Sequence, residues 1–75
     1  MVKPTLVTNS IRSRREAAGI TQADLAGRVG VTRQTLIAIE QGRYSPTLEL
    51  AFQIARAFGA GIDDLFQYPS QETGE

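Results

Sequence analysis

The chain has 75 residues, with eight basic and eight acidic side chains, a formal net charge of zero, and neither cysteine nor histidine. A chain this short forms one domain at most and buries only about 60% of its unfolded surface. The missing residue types exclude disulfides, thiolate metal sites and thiol nucleophiles, and they remove the commonest general base and metal ligand. We therefore expect no metal and no cofactor.

The sequence also carries no pattern typical of a membrane or export segment. Its apolar runs are short, and its N-terminus lacks a basic stretch followed by an apolar core. We expect a cytoplasmic protein with no membrane partner.

The zero net charge hides an asymmetry between the two parts of the chain. Residues 1–45 hold seven basic and three acidic residues, whereas residues 46–75 hold one basic and five acidic residues. Seven of the eight bases are arginine, whose planar guanidinium suits phosphate and guanine. The asymmetry indicates an anionic partner for the first part, although a chance distribution of solubilising charges explains it equally well.

In chain order, the first predicted element is an arm. Residues 1–8 predict an extended arm or a short strand, because Pro4 precedes a short run of β-favouring residues. Helix 1 is expected over residues 10–18, capped by Asn9 or Ser10 and ended by a glycine. Its apolar positions are Ile11, Ala17 and Ala18.

Helices 2 and 3 are predicted from capping threonines, glycine stops and helical spacing. Helix 2 covers residues 22–29 and helix 3 covers residues 33–41, with Thr21 and Thr32 as their caps. The inner-face residues are Leu25, Ala26 and Val29 in helix 2, and Leu36 and Ile39 in helix 3.

Two further helices are predicted in the second part of the chain. Helix 4 covers residues 48–58 after a turn that contains Pro46, and helix 5 covers about residues 62–67. Residues 69–75 are expected to form a flexible tail. The broad apolar face of helix 4 consists of Leu48, Ala51, Phe52, Ala55 and Phe58, widened by Leu50, Ile54 and Ala57.

The connection between helices 2 and 3 is the first functional signal. Only Gly30, Val31 and Thr32 join the two helices, and so short a link forces the steep crossing of a helix-turn-helix. A small alanine in helix 2 lets helix 3 approach closely, and the glycine suits a turn position with positive φ. The face of helix 3 that points outward carries Arg33, Gln34 and Ile37.

Three ordered runs extend this pattern along residues 9–68. The first run is Ile11-Arg12 with Arg15, Gly19-Ile20-Thr21-Gln22, Leu25-Ala26 and Val29-Gly30-Val31. The second is Thr32-Arg33-Gln34-Thr35-Leu36 with Ile39-Glu40, Gly42-Arg43 and Pro46, and the third is the apolar spacing from Leu50 to Phe66. Together they resemble the Xre and phage lambda Cro/repressor family of helix-turn-helix domains. The resemblance implies an all-α fold, a compact five-helix bundle in which helix 3 is the recognition helix.

The resemblance also implies roles for single residues. Arg33 and Gln34 contact base edges, and Arg15 pairs with Glu40 between helices 1 and 3. Their chemistry agrees, because arginine is bidentate to guanine and glutamine is bidentate to adenine. The phosphate contacts that the resemblance implies are Gln22, Arg43 and Tyr44.

Three further residues belong to the candidate DNA site. Thr32 and Thr35 join the phosphate contacts, because the free amides and positive dipole end of a helix N-terminus attract phosphate. Ile37 departs from the polar residue usual in the family, and it contacts either a thymine methyl group or the turn. Gly61 also departs from the family pattern and leaves the start of helix 5 open.

These features predict a sequence-specific DNA-binding transcriptional regulator that associates with the nucleoid. A homodimer would place one recognition helix in each half-site of a two-fold operator, and repression by steric exclusion of polymerase is favoured over activation. We expect no small-molecule ligand domain, so regulation comes from protein level, a partner or autoregulation. The dimer candidates, which also fit a plain core, are Leu65, Phe66 and Tyr68, with residues 5–8 as an accessory.

Two other classes of function remain as alternatives. A protein-interaction module, such as an antitoxin or an anti-regulator, uses the same fold but needs an apolar outer face on helix 3, and only Ile37 favours it. An enzyme is disfavoured, because the chain has no histidine, cysteine or phosphate loop and too few residues to form a pocket.

Overall fold

The computed structural model describes residues 5–43 and 45–69. In this part of the chain the helices are α1 (Ile11–Ala18), α2 (Gln22–Val29), α3 (Arg33–Glu40), α4 (Leu48–Ala57) and α5 (Ile62–Leu65), and the strands are β1 (Thr8–Asn9) and β2 (Phe66–Gln67). The predicted all-α bundle is therefore confirmed, with helix bounds within two residues of those expected. Across the same ranges, none of the helices has the length and apolar character needed to span a membrane.

Threonine hydroxyls start three of the helices. In α2, α3 and α4 the residue before the helix accepts a hydrogen bond from the backbone N–H three residues on. The pairs, at 3.0–3.1 Å, are Thr21 with Asp24, Thr32 with Thr35, and Thr47 with Leu50. Each cap satisfies a donor that the first helical turn leaves unpaired and contributes about 1 kcal/mol.

One apolar core holds the five helices together. Its fully buried large side chains are Ile11, Leu25, Leu36, Ile39, Ile54 and Leu65. Every helix supplies at least one of them, and the inner faces predicted for helices 2 and 3 are confirmed. Truncating any of these side chains would leave a cavity, at a typical cost of about 2–5 kcal/mol.

The apolar face predicted for helix 4 is wrong on one flank. Ala51, Ile54 and Ala55 are buried, but Leu48 is 69% exposed and Phe52 is 50% exposed. Leu48 and Phe52 are four residues apart, so they share a flank of the helix that lies outside the buried stripe. Two large apolar side chains are therefore left at the surface.

Helix 1 buries only one of its three apolar positions. Ile11 is buried as expected, but Ala17 and Ala18 are exposed and Arg15 is buried. Since Arg15 lies one turn after Ile11, the inner stripe of α1 ends on a charged residue. Burial of this charge requires a partner, which α3 supplies.

Helix 5 is shorter than predicted, because its last expected turn is replaced by a strand. The helix ends at Leu65, and Phe66 has an extended backbone with φ −120° and ψ 138°. β2 then pairs antiparallel with β1. Gly61 nevertheless starts the helix, since its N–H donates to Asp64 Oδ2 at 3.2 Å.

Asn9 joins the small sheet to two helices. Its backbone lies in β1, and its Oδ1 accepts a hydrogen bond from the backbone N–H of Ile11 at 3.1 Å. Its Nδ2 donates to the carbonyl O of Ile39 at 2.9 Å, in the last turn of α3. Ser10, the other predicted cap, makes no capping hydrogen bond with its side chain. One side chain thus satisfies backbone groups at the ends of α1 and α3.

We expect Asn9→Ala to lower the free energy of unfolding by about 1–3 kcal/mol, because it removes both hydrogen bonds. Ser13→Ala is the control, since the exposed Ser13 hydroxyl donates only to the nearby carbonyl O of Ser10. Urea denaturation followed by circular dichroism measures both variants. A loss for Asn9→Ala no larger than the control would contradict the linking role of Asn9.

Candidate nucleic-acid interface

The turn between α2 and α3 is fixed by its backbone. Gly30 ends α2 in the left-handed conformation, with φ 77°, which a residue with a Cβ adopts only with strain. The N–H of Val31 donates back to the carbonyl O of Ala26 at 3.0 Å, and the Val31 side chain packs against the core. α3 therefore begins at Arg33 with its direction set by α2.

The outward face of α3 presents polar side chains on its first turn. Arg33 and Gln34 are exposed, while Ile37 and Ala38 in the next turn are half-buried. Arg43 is exposed just past the end of α3, and it lines an open concavity with Gln34, Ile37 and Ala38. A guanidinium, an amide and an apolar floor thus lie side by side on one surface.

The backbone of Arg43 is hydrogen-bonded to α3. Gly42 takes the left-handed conformation with φ 74°, and the N–H of Arg43 then donates to the carbonyl O of Ala38 at 2.9 Å. The position of Arg43 is thereby fixed relative to α3. Tyr44, the next predicted phosphate contact, lies outside the described residues.

The two threonines predicted to contact phosphate are bonded to each other. Thr32 Oγ1 donates to Thr35 Oγ1 at 3.0 Å and accepts from the Thr35 backbone N–H at 3.1 Å. Thr32 is exposed and Thr35 is half-buried. Because Thr35 Oγ1 acts as the acceptor in this pair, its own hydroxyl proton can still be donated to a phosphate oxygen.

Arg15 and Glu40 form a buried ion pair between α1 and α3. Arg15 Nε donates to Glu40 Oε2 at 2.8 Å and Arg15 Nη2 donates to Glu40 Oε1 at 3.3 Å. Their side chains are only 10% and 4% exposed. Arg15 Nη1 also donates to the carbonyl O of Ile20 at 3.1 Å. The hydrogen bond to Glu40 raises the pKa of Arg15 above its ordinary value, against the lowering effect of burial, so the guanidinium stays charged.

Gln22, the first residue of α2, is linked to this ion pair. Its Nε2 donates to Glu40 Oε1 at 3.2 Å, and its side chain is half-buried. An open polar concavity beside Gln22 is lined by residues that include Arg12, Thr21 and Arg33. The spacing of the sequence contains no signal for the link to Glu40, because the two residues lie on different helices.

Leu65 is wrong as a dimer candidate, because its side chain is fully buried in the core. α5 is only four residues long, and Leu65 is the residue that anchors it inward. Phe66 is half-buried against the core, whereas Tyr68 is 65% exposed. The last two of the three candidates therefore still present surface to a partner.

An apolar groove near these residues has no counterpart in the helical pattern of the sequence. It is lined in part by Val7, Leu48, Ile62 and Phe66, and Leu6, which precedes it in the arm, is 53% exposed. Leu48 was predicted to lie in the core, so only its exposure in the structure could have revealed this surface.

Comparison with known proteins agrees with this geometry. The helix-turn-helix family model, HTH_3, matches residues 11–65. The chain is 50% identical over 64 residues to an uncharacterized HTH-type transcriptional regulator of Methanocaldococcus jannaschii, over 85% of this chain and 97% of the relative. It is 32% identical over 60 residues to the cryptic phage CTXphi transcriptional repressor RstR of Vibrio cholerae, over 80% of this chain and 54% of RstR. The crystal structure of the clp gene regulator ClgR from Corynebacterium glutamicum matches with a TM-score of 0.68 and 33% identity, over 72% of this chain and 57% of that one.

The fold, the outward face of α3 and these matches define a DNA-binding helix-turn-helix transcriptional regulator, a class of protein distinct from enzymes. The chain belongs to the HTH_3 helix-turn-helix family, and the resemblance noted from its motifs is confirmed. It spans a little over half the length of RstR and of ClgR, so those two proteins contain further residues outside the shared domain.

Removing one partner of the Arg15–Glu40 pair leaves the other charge buried and unpaired. We expect Arg15→Ala to lower the free energy of unfolding by more than about 1 kcal/mol. In a double-mutant cycle with Glu40→Ala, the coupling energy between the two positions should also be at least about 1 kcal/mol.

The exposed pair Arg12–Glu16 is the matched control for this cycle. Its Nε and Oε2 atoms are 3.1 Å apart, but the side chains are 74% and 58% exposed. Water screens such a pair, so the coupling energy from its double-mutant cycle should be about 0.3–0.5 kcal/mol. Urea denaturation provides all the free energies, and equal coupling in the two cycles would reject a special role for the buried pair.

Proposed function

We propose that the chain is a sequence-specific transcriptional repressor that occupies a two-fold operator as a homodimer, with α3 of each copy in the major groove. The observation that carries the proposal is the exposure of Arg33 and Gln34 together on the first turn of α3. Arginine binds guanine O6 and N7 bidentately, and glutamine binds adenine N6 and N7 in the same way. Recognition helices present such N-terminal residues to base edges.

Phosphate contacts on both sides of these residues hold the helix in the groove. Arg43 follows the C-terminal end of α3 and Gln22 begins α2, so the two bracket the base contacts. The excess of basic residues in residues 1–45 supports this arrangement. The remaining proposed phosphate contacts are Thr32, Thr35 and Tyr44.

Ile37 adds apolar surface to the base-reading face. It lies beside Ala38 on the floor of the concavity next to Gln34, where a thymine methyl group is a suitable neighbour. A protein partner of the antitoxin or anti-regulator kind would use the same apolar floor. The exposed Arg33, Gln34 and Arg43 around it favour DNA.

Two observations support the homodimer: the weak DNA binding expected of a single module, and the exposed apolar side chains. A single module with a net charge of zero makes few phosphate contacts and binds DNA weakly. A second copy covering the groove between the arm, α4 and α5 would bury Leu48 and Phe66, which line it, and join two half-sites. The exposed Tyr68, two residues after Phe66, would extend this interface. In this proposal Leu48 replaces Leu65 at the interface. The two recognition helices would then lie about 34 Å apart.

Repression requires only that the bound dimer exclude polymerase from the operator. RstR, which shares this domain, is named a transcriptional repressor. The proposed site of action is the nucleoid of the cytoplasm.

Variants at the two ends of α3 separate base reading from phosphate holding. Arg33→Ala should lose about 1–3 kcal/mol of binding and flatten the preference for a guanine in each half-site. Gln34→Ala should flatten the preference at a neighbouring adenine-containing pair. Arg43→Ala should weaken all sequences alike and reduce the salt slope by about one unit per contact.

The measurement is binding of the three variants to a randomised operator library at two salt concentrations. Each substitution occurs twice in a dimer, which enlarges the effect on a complete operator. If Arg33→Ala kept the full sequence preference while Arg43→Ala changed it, α3 would not lie in the groove as proposed.

The proposed dimer can be tested by placing a charged side chain in the apolar groove. Leu48→Glu leaves the core intact, because Leu48 is exposed, and it should raise the dimer dissociation constant at least about tenfold. Gln53→Glu is the control, since it adds the same charge to an exposed position of α4 outside the groove. Sedimentation velocity at micromolar concentration measures both. A strictly monomeric wild-type chain that binds a single half-site tightly would overturn the dimer.

A further inference from the structure

Glu40 contacts both its ion-pair partner and a residue proposed to hold DNA. We propose that Glu40 and Arg15 are positioning residues for the phosphate contact of Gln22, in addition to joining α1 to α3. This inference rests on the proposed function, because it concerns how the DNA backbone is held.

The first step is the orientation of the Gln22 amide. Glu40 Oε1 accepts hydrogen bonds from Arg15 Nη2 at 3.3 Å and from Gln22 Nε2 at 3.2 Å. An ionised carboxylate has no proton to donate, so the amide must turn its NH₂ group toward it. One N–H of that group is then used by Glu40, and the second remains for a phosphate oxygen. The carboxylate thus fixes an otherwise freely rotating side chain before DNA arrives.

The second step is charge neutralisation beneath the phosphate. The Glu40 side chain is only 4% exposed, so little water screens its negative charge from an approaching phosphate. Arg15 compensates this charge through two N–H donors to the same carboxylate. Its third nitrogen, Nη1, donates to the carbonyl O of Ile20 at 3.1 Å, so each of the three guanidinium nitrogens has a partner inside the domain. Arg15 therefore supports the phosphate contact without making it.

The third step is the coupling to the recognition helix. Glu40 is the last residue of α3, and Gln22 is the first residue of α2. The open concavity beside Gln22 is also lined by Arg33, which begins α3. A phosphate held by Gln22 would therefore lie beside Arg33 at the start of α3 and be linked through Gln22 to Glu40 at its end. These two connections fix how α3 lies relative to the DNA backbone.

The test compares the effect of Gln22→Ala on DNA affinity in two backgrounds. The second background is Arg15→Met with Glu40→Leu, which removes both charges, and such apolar replacement of a buried pair often preserves stability. We expect Gln22→Ala to weaken binding to an operator duplex about tenfold per half-site in the wild type and less than about twofold in the second background. Arg43→Ala is the control, because Arg43 is not bonded to Glu40 and its effect should be equal in both.

Glu40→Gln provides an additional background that keeps the side chain's size. The stronger Arg15 contact, at 2.8 Å, retains the amide oxygen, so the new NH₂ group faces Gln22. To avoid two opposed donors the Gln22 amide must turn its oxygen toward that group, which reverses the orientation that Glu40 imposes. The loss of operator affinity caused by Gln22→Ala should therefore be smaller in this background than in the wild type. Equal Gln22→Ala effects in all folded backgrounds would overturn the positioning role while leaving the proposed function intact. Failure of the wild type to bind any duplex would overturn both.

Discussion

The short connection between α2 and α3 constrains the rest of the domain. Gly30, Val31 and Thr32 join the two helices by the short turn of a helix-turn-helix, and Ala26 of α2 is buried. Two helices of eight residues each cannot bury the inner face of α3 between them alone. Leu36 and Ile39 must therefore reach a core that α1, α4 and α5 supply. The other three helices serve to hold the crossing in place.

The far end of α3 is held by polar groups because the apolar core is small. Within residues 5–43 and 45–69, six large side chains are fully buried, and none of them lies beyond Ile39 in α3. Beyond Ile39, α3 is held by two polar contacts: the ion pair between Glu40 and Arg15, and the hydrogen bond from Asn9 to the carbonyl O of Ile39. A buried ion pair stabilises a fold no better than apolar packing would. Its geometry is directional, however, and a directional contact suits a helix whose orientation would decide which bases it meets in the proposed complex.

The elements that could be predicted from the sequence are those fixed by local chemistry. Thr21, Gly30 and Thr32 act through hydrogen bonds and φ angles within a few residues, so the bounds of α2 and α3 follow from their positions. The exposure of Arg33 and Gln34 follows in turn, because Leu36 and Ile39 fix the inner face of the same helix. Their contacts with bases remain predictions.

The features that could not be predicted depend on partners distant in sequence. Phe66 becomes a strand because it pairs with Asn9, and propensity within residues 62–67 contains no trace of that pairing. Leu48 is exposed although it lies on the apolar side of α4, because burial depends on which elements pack against that flank, and a helical stripe does not reveal this. The link from Gln22 to Glu40 joins the starts and ends of different helices, so it exists only once the crossing is formed.

A chain with no net charge can bind DNA because charge acts locally. Charges are screened over about 10 Å at 0.1 M salt, whereas the domain extends over 40 × 29 × 21 Å. A phosphate beside α3 therefore responds to Arg33 and Arg43 rather than to the acidic residues of α4 and α5. Asp63 lines the apolar groove, so in the proposed dimer a second copy seated there would bring carboxylates toward each other. Salt would then weaken DNA contact while easing association of the two copies, so the two proposed steps would respond to ionic strength in opposite directions.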